Sequence, residues 1–198
     1  MRRIVVFNRV SADGYFAKPD GDLSWFVPDE AIDRAGADQM PHFDAMLFGR
    51  RTYEMFEHFW PTVQGAQPAP DPHDPNRKTE TIAAMAAWIN RTQKLLISKT
   101  RAQLSWQNSH LLGEFRAEKL QELKAQPGKD IIVFGSGSIV SQLSAHGLVD
   151  EYQFIVSPLL LGSGKAVVSG VEGTRPLELL EAKAYDSGNV VLRYAPKT

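Results

Sequence analysis

The chain has 198 residues, 43% hydrophobic and 23% charged, which is the composition of an ordinary soluble globular protein and enough chain for one domain with a sizeable core. Its 22 lysines and arginines nearly balance 23 acids, for a formal charge of -1, so it lacks the basic excess of a nucleic-acid binder. Cysteine is absent, which excludes disulfides, thiolate metal sites and cysteine nucleophiles and fits a reducing cytoplasm.

The opening MRRIVVF sets two arginines before an apolar run, but Asn8 and Arg9 cut that run far short of a signal core. No apolar stretch of membrane length occurs, so the expectation is a cytoplasmic protein that engages no membrane. RIVVFNRV reads instead as a mostly buried first strand. SADGYFAKPDGDLSWF follows as a loop, with Asp-Gly at 13–14, Pro-Asp-Gly at 19–21 and aromatic residues able to pack over something. Pro28, Asp29 and Glu30 suit a helix start, and Pro41 ends that helix near Met40.

AMLFG is a short strand ending at Gly49, and RRTYEMFEHFW has a helical pattern, with Phe56, Phe59 and Trp60 on one face until Pro61. Residues 61–78 are dense in proline, carry no periodicity, and read as a surface loop. TETIAAMAAWINR resumes helix, KLLIS and SHLLG are strands, and EFRAEKLQELKAQ is an amphipathic helix closed by Pro127-Gly128. DIIVF and SIVSQLSAH are the next strand and helix. DEYQFIVSPLLLG, KAVVSG, LELLEAKAYD and NVVLRYA then read as consecutive strands. Alternating strands and helices followed by a strand-rich end predict a single α/β domain over 1–198. Its central sheet is mostly parallel between two helical layers, with antiparallel strands added by the C-terminus.

Ligands of open α/β sheets bind at the carboxyl ends of the strands, and three of these ends are rich in donors. Gly135-Ser136-Gly137-Ser138 lies between a strand and a helix, where glycines let the backbone approach an anion and free amides meet it. It is neither a Rossmann fingerprint, which needs a third glycine, nor a P-loop, which needs Gly-Lys-Ser/Thr. By itself it is equally a capped glycine turn. Gly49-Arg50-Arg51-Thr52 opens a helix with two arginines where the helix dipole opposes cations, a placement that an anionic partner would explain. Ser98-Lys99-Thr100 supplies donors and a positive charge at a third end. Together they fit an elongated ligand with separate phosphates, such as a dinucleotide.

LFGRRTYE, LLISKT and VFGSGSIVSQL, in this order, resemble the dihydrofolate reductase-like superfamily. The resemblance is closest to the branch containing the reductase domain of bacterial riboflavin biosynthesis, through SADGYFAKPDGDLSW and VDEYQFIVSPLLLGSGK. It implies a three-layer α/β/α fold with an antiparallel C-terminal edge strand, and NADPH as cofactor. Carried over by position, Arg50, Arg51, Thr52, Ser98, Lys99 and Thr100 surround the adenosine 2'-phosphate and its neighbour, beside Gly49. Phe134, Gly135, Ser136, Gly137, Ser138 and Ile139 receive the pyrophosphate, and Ala12 and Phe16 line the nicotinamide end. Asp13 is the candidate catalytic contact, or else an Asp-Gly turn residue. Dihydrofolate reductases carry Gly-Gly, commonly joined by a cis bond, where this chain has Gly135-Ser136, which leaves the isomer open.

The implied activity is hydride transfer from NADPH to a small heterocyclic or carbonyl substrate. The alternatives are reduction of 5-amino-6-(5-phosphoribosylamino)uracil and NADPH binding without turnover. Asp29, Glu30 and Asp33 are the candidate carboxylates on the first helix for orienting a pterin, and none stands in the folate-reductase context, so folate reduction is not expected. The five histidines, His42, His58, His73, His110 and His146, have no metal-ligand spacing, and no metal is expected. FIVSPLLLG is more apolar than an exposed edge, and the riboflavin branch pairs through its C-terminal strands, so the expected state is a homodimer.

Overall fold

A computed structural model describes residues 1–101 and 103–197. The first half contains β1 (Ile4–Ser11), β2 (Tyr15–Ala17), α1 (Glu30–Gln39), β3 (Phe43–Gly49), α2 (Arg50–Phe59), β4 (Ala69–Pro70), β5 (Lys78–Thr79), α3 (Glu80–Arg91) and β6 (Gln93–Ile97). The second contains β7 (Ser109–Gly113), α4 (Ala117–Ala125), β8 (Asp130–Phe134), α5 (Gly137–Ala145), β9 (Glu151–Ser157), β10 (Lys165–Ala166), β11 (Leu177–Ala184) and β12 (Val190–Pro196).

Eight strands form one sheet in the order β11-β12-β9-β1-β8-β3-β6-β7. From β9 to β7 every neighbouring pair is parallel. β12 runs antiparallel to β9, and β11 folds back antiparallel onto β12. The expected antiparallel strand is therefore β12, one position in from the edge, which β11 occupies with Leu179 and Leu180 half exposed.

Alternation along β1 divides the core. Ile4, Val6 and Val10 face one side, where they pack with Leu120 of α4 and Ile139, Val140 and Leu143 of α5. Val5 and Phe7 face the other, with Tyr53 and Phe56 of α2 and Ile82, Ala86 and Ile89 of α3. Each such fully buried aliphatic or aromatic side chain contributes about 1.5–3 kcal/mol by leaving water. The result is helices on both faces of a mostly parallel sheet, as expected.

Helix starts follow the caps. The Asp29 carboxylate accepts the amides of Ala31 and Ile32 at 2.9 and 3.1 Å, and the Thr79 hydroxyl accepts that of Ile82 at 3.0 Å. The prolines act as stops by tightening the chain rather than breaking it: short 3-10 turns at Met40–His42 and Trp60–Val63 follow α1 and α2.

Two expectations change. The proline-rich segment is not only a surface loop: β4 pairs with β5, Ala69 is fully buried, and Asp71 is buried too. KAVVSG contributes only β10, which pairs with β2 in a separate two-stranded flap instead of joining the main sheet.

Candidate functional site

At the carboxyl ends of β1, β3 and β8 lies a cleft of about 1360 Å³ that crosses from one face of the sheet to the other. Its floor is organised by Ser136. The Ser136 Oγ accepts the Gly49 amide at 2.9 Å and donates to the Phe134 carbonyl at 2.9 Å, and the Ser136 amide donates to Thr52 Oγ1 at 3.1 Å. These bonds clamp the start of α2 against the start of α5. Gly135 and Ser136 both occupy the left-handed region, with φ of 53 and 56°. A Cβ on Gly135 would stand 3.2 Å from Thr52 Oγ1, so a side chain here would push on the clamp as well as strain the left-handed backbone. Among the described residues the only cis bond is Gln67–Pro68, so Gly135–Ser136 is trans.

Neither α2 nor α5 is capped by a side chain. Their first amides therefore open towards the cleft, with the positive ends of two helix dipoles side by side. Arg50 and Arg51 stand at the same place. Arg50 Nη1 meets both Glu54 carboxylate oxygens at 3.1 and 3.2 Å on the exposed surface, while Arg51 is exposed and makes no ion pair among the described residues. The β2–β10 flap forms the adjoining wall. A Cβ on Gly137 would come within 2.8 Å of the Phe16 ring and 3.0 Å of the Ala166 carbonyl, so only glycine lets the helix start sit this close to the flap.

The opposite end of the cleft, between α1 and α3, has different chemistry. Ile32, Trp60, Ile82, Met85 and Ile89 make it apolar. One edge holds a chain of buried charges: Arg9 Nη2 to Asp33 Oδ1 at 3.1 Å, Arg77 Nη2 to Asp33 Oδ2 at 2.7 Å, and Arg77 Nη1 to Asp71. Burial pushes the Asp33 carboxyl up, against the pull of Arg9 and Arg77. The Arg9 guanidinium also lies 5.6 Å from the Phe26 ring centre, and Phe26 meets the His73 ring edge-on at 4.5 Å.

Burial lowers His73 from 6.5 to about 4, against the opposing effect of Asp71, so its imidazole is neutral at physiological pH. Between pH 6.5 and 4 the unfolded chain takes up a proton at this position that the folded chain refuses, so stability falls with falling pH across that window. The expected loss between pH 7 and 5 is about 1–2 kcal/mol, allowing for partial exposure of the ring. Urea midpoints of wild type and His73→Leu should diverge over this range; parallel pH curves would mean that the ring titrates normally.

Of the residues singled out from the sequence, Phe16, Gly49, Arg50, Arg51, Thr52, Phe134, Gly135, Ser136, Gly137 and Ser138 line the cleft together. Six do not. Ile139 is buried beneath it, and Ala12 is exposed with its amide bound to the Leu159 carbonyl. Asp13 accepts the amides of Leu161 and Gly162 at 3.1 and 2.7 Å. Its carboxyl is held below the usual range by the Ser11 hydroxyl first and by those amides after it, so it braces the 158–164 loop as an anion and does not line the cleft. The buried Ser98 Oγ accepts the amides of Thr100 and Arg101, and Lys99 reaches Glu114 at 3.4 Å on the surface. This third strand end adjoins the Gly49 end, as the Gly49–Ile97 pairing requires, but Ser98, Lys99 and Thr100 lie off the cleft wall.

Arg9, Asp33 and His73 were not singled out for the site, yet all three line it. Of the carboxylates at α1, Asp29 caps the helix, Glu30 pairs with Arg34 and Asp38 is exposed away from the cleft lining, so Asp33 is the one that lines the cleft. No group of three histidines, carboxylates or cysteines able to hold a metal ion occurs among the described residues, and no described helix is long and apolar enough to cross a membrane.

The sequence model of the RibD C-terminal domain matches residues 2–191. The uncharacterized protein YyaP of Bacillus subtilis is 26% identical over 98% of this chain and 94% of its own length. The riboflavin biosynthesis protein RibD of Corynebacterium ammoniagenes is 27% identical over 79% of this chain, a match that spans 43% of that longer protein. A candidate riboflavin biosynthesis protein from Shewanella sp. PV-4 superposes with a TM-score of 0.75 at 19% identity, covering 99% of both chains. Dihydrofolate reductase from Enterococcus faecalis, solved with NADP(H), superposes at 0.59 with 11% identity over 99% of this chain and 97% of its own. At such identities the structural likeness is one of fold.

Proposed function

The chain belongs to the RibD C-terminal domain family, matched over residues 2–191, and from that premise we propose that it is an NADPH-dependent reductase of a small cyclic substrate. Membership supports a reductase-type function. The observation that carries the cofactor assignment is the pair of uncapped helix starts locked together by Ser136, with Arg51, which makes no ion pair among the described residues, beside them. That donor set fits the cofactor: two clusters of free amides suit its phosphates, and cations suit the extra phosphate that distinguishes NADPH from NADH.

In this reading the backbone amides of Gly137 and Ser138 receive the pyrophosphate, while Gly135 and Ser136, whose amides meet the Phe7 carbonyl and Thr52 Oγ1, shape the turn that presents them. Thr52, Arg50 and Arg51 hold the 2'-phosphate, without Ser98, Lys99 and Thr100, which do not line the cleft. Phe16, on the flap, covers the nicotinamide end. When bound, NADPH supplies a hydride to an electrophilic carbon of the substrate. The protein's share is to orient the two partners and to exclude water with the apolar walls of Phe7, Phe56 and Phe134. Two copies pairing along the exposed β11 edge, with Leu179 and Leu180, fit the same family.

Titrating the protein against NADPH while following nicotinamide fluorescence tests the assignment. Saturable binding in the micromolar range is expected; no saturation up to about millimolar would remove the cofactor from the function. Binding without NADPH oxidation across a broad substrate panel would favour a non-catalytic module instead.

A further inference from the structure

We propose that the space between α1 and α3 is a subsite for an uncharged, planar ring compound, opened by Gly36 and bounded by a self-neutralised chain of ion pairs, so that the substrate carries no phosphate. This rests on the reductase reading given above.

Gly36 is the first observation. It lies inside α1, where glycine destabilises a helix relative to alanine. Its φ is not positive, and a Cβ built on it meets nothing within 4 Å. Neither backbone geometry nor packing therefore requires glycine here. Yet the residue lines the cleft, opposite Ile82 and Met85 of α3, and the missing side chain leaves room for a ligand.

Charge is the second observation, independent of the first. Arg9 and Arg77 are the cations at this end, and both are already spent: Arg9 on Asp33, Arg77 on Asp33 and Asp71. The His73 imidazole, buried against Phe26, adds no positive charge. Lys165, another cation of the cleft wall, stands on the β2–β10 flap rather than on α1 or α3, its Nζ 3.1 Å from a Cβ built on Gly21. A phosphorylated substrate placed between α1 and α3 would bury its charge beside guanidiniums that are already paired, which is disfavoured. A neutral ring can lie against Ile32, Trp60, Ile82 and Met85 and still take hydrogen bonds along the Arg9–His73 edge.

The test is a tryptophan-quenching titration of the NADP+-loaded protein with menadione, a neutral planar quinone, and with naphthoquinone sulfonate, its anionic counterpart. The chain has no cysteine to consume the quinones. Menadione should bind saturably, and the sulfonate at least about tenfold more weakly. Gly36→Leu should weaken menadione by at least about tenfold and Gly36→Ala by less than about threefold, with NADPH affinity within about twofold of wild type in both variants. Equal or tighter sulfonate binding, menadione that does not saturate, or a Gly36→Leu variant that binds it normally would each overturn the subsite. Failure of NADPH itself to bind would sink the cofactor reading instead, and the quinone titration on unloaded protein would still decide the subsite.

Discussion

Replacing Asp33 by alanine is expected to destabilise the fold by about 2–4 kcal/mol, because it strands a largely buried guanidinium at the cleft wall. Asp33 is only 7% exposed and joins Arg9 to Arg77 through separate carboxylate oxygens. With Asp33 gone, Arg77 keeps Asp71, but Arg9 is left with the Val27 carbonyl at 3.4 Å and the face of Phe26. Removing one partner of a buried pair exposes the full desolvation penalty of the other, whereas removing both with apolar groups of similar size is often neutral. The double variant Arg9→Met/Asp33→Leu should therefore recover most of what Asp33→Ala loses. Urea midpoints at constant m-value measure both. A loss below about 1 kcal/mol for Asp33→Ala would mean that water reaches Arg9 and that the cluster is an ordinary surface pair.

This cluster was the part of the site least visible in the sequence. The half proposed to take phosphates could be marked out in the sequence because each of its features is local: a glycine turn between a strand and a helix, or arginines at a helix start. Strand exits can be read one at a time, and the parallel sheet then brings Gly49 and Gly135 together. The other half is assembled from distant pieces. Arg9 sits on β1, Asp33 on α1, and Asp71, His73 and Arg77 come from the proline-rich segment. That segment is ordered by short side-chain to backbone bonds and ion pairs, such as the His73 amide to Asp71 at 2.8 Å, which leave no periodic trace in a sequence. Asp13 and Ser98 lie off the cleft wall for the converse reason. Their motifs are donor- and acceptor-rich, but the loops spend those groups on their own turns.

Arg50→Ala/Arg51→Ala should weaken NADPH binding by about 100-fold and NADH binding by less than about threefold. Each arginine bonded to a phosphate contributes about 1.5–3 kcal/mol when both groups are charged, reduced at this open rim by solvent. The fold has little to lose in exchange. The Arg50–Glu54 pair is exposed and of the kind worth only a few tenths of a kcal/mol, and Arg51 has no carboxylate partner among the described residues. Two cations at an uncapped helix start are instead disfavoured by the dipole, so their removal should leave thermal stability unchanged or slightly raised. A ligand that repels neither helix start nor arginine is the natural reason for such a placement, and the 2'-phosphate is the part of NADPH that NADH lacks. The selectivity should shrink with rising salt, since exposed charges are screened within about 10 Å at 0.1 M. Equal losses for the two nucleotides would move the arginines off the 2'-phosphate, and a large loss of thermal stability would make them part of the scaffold.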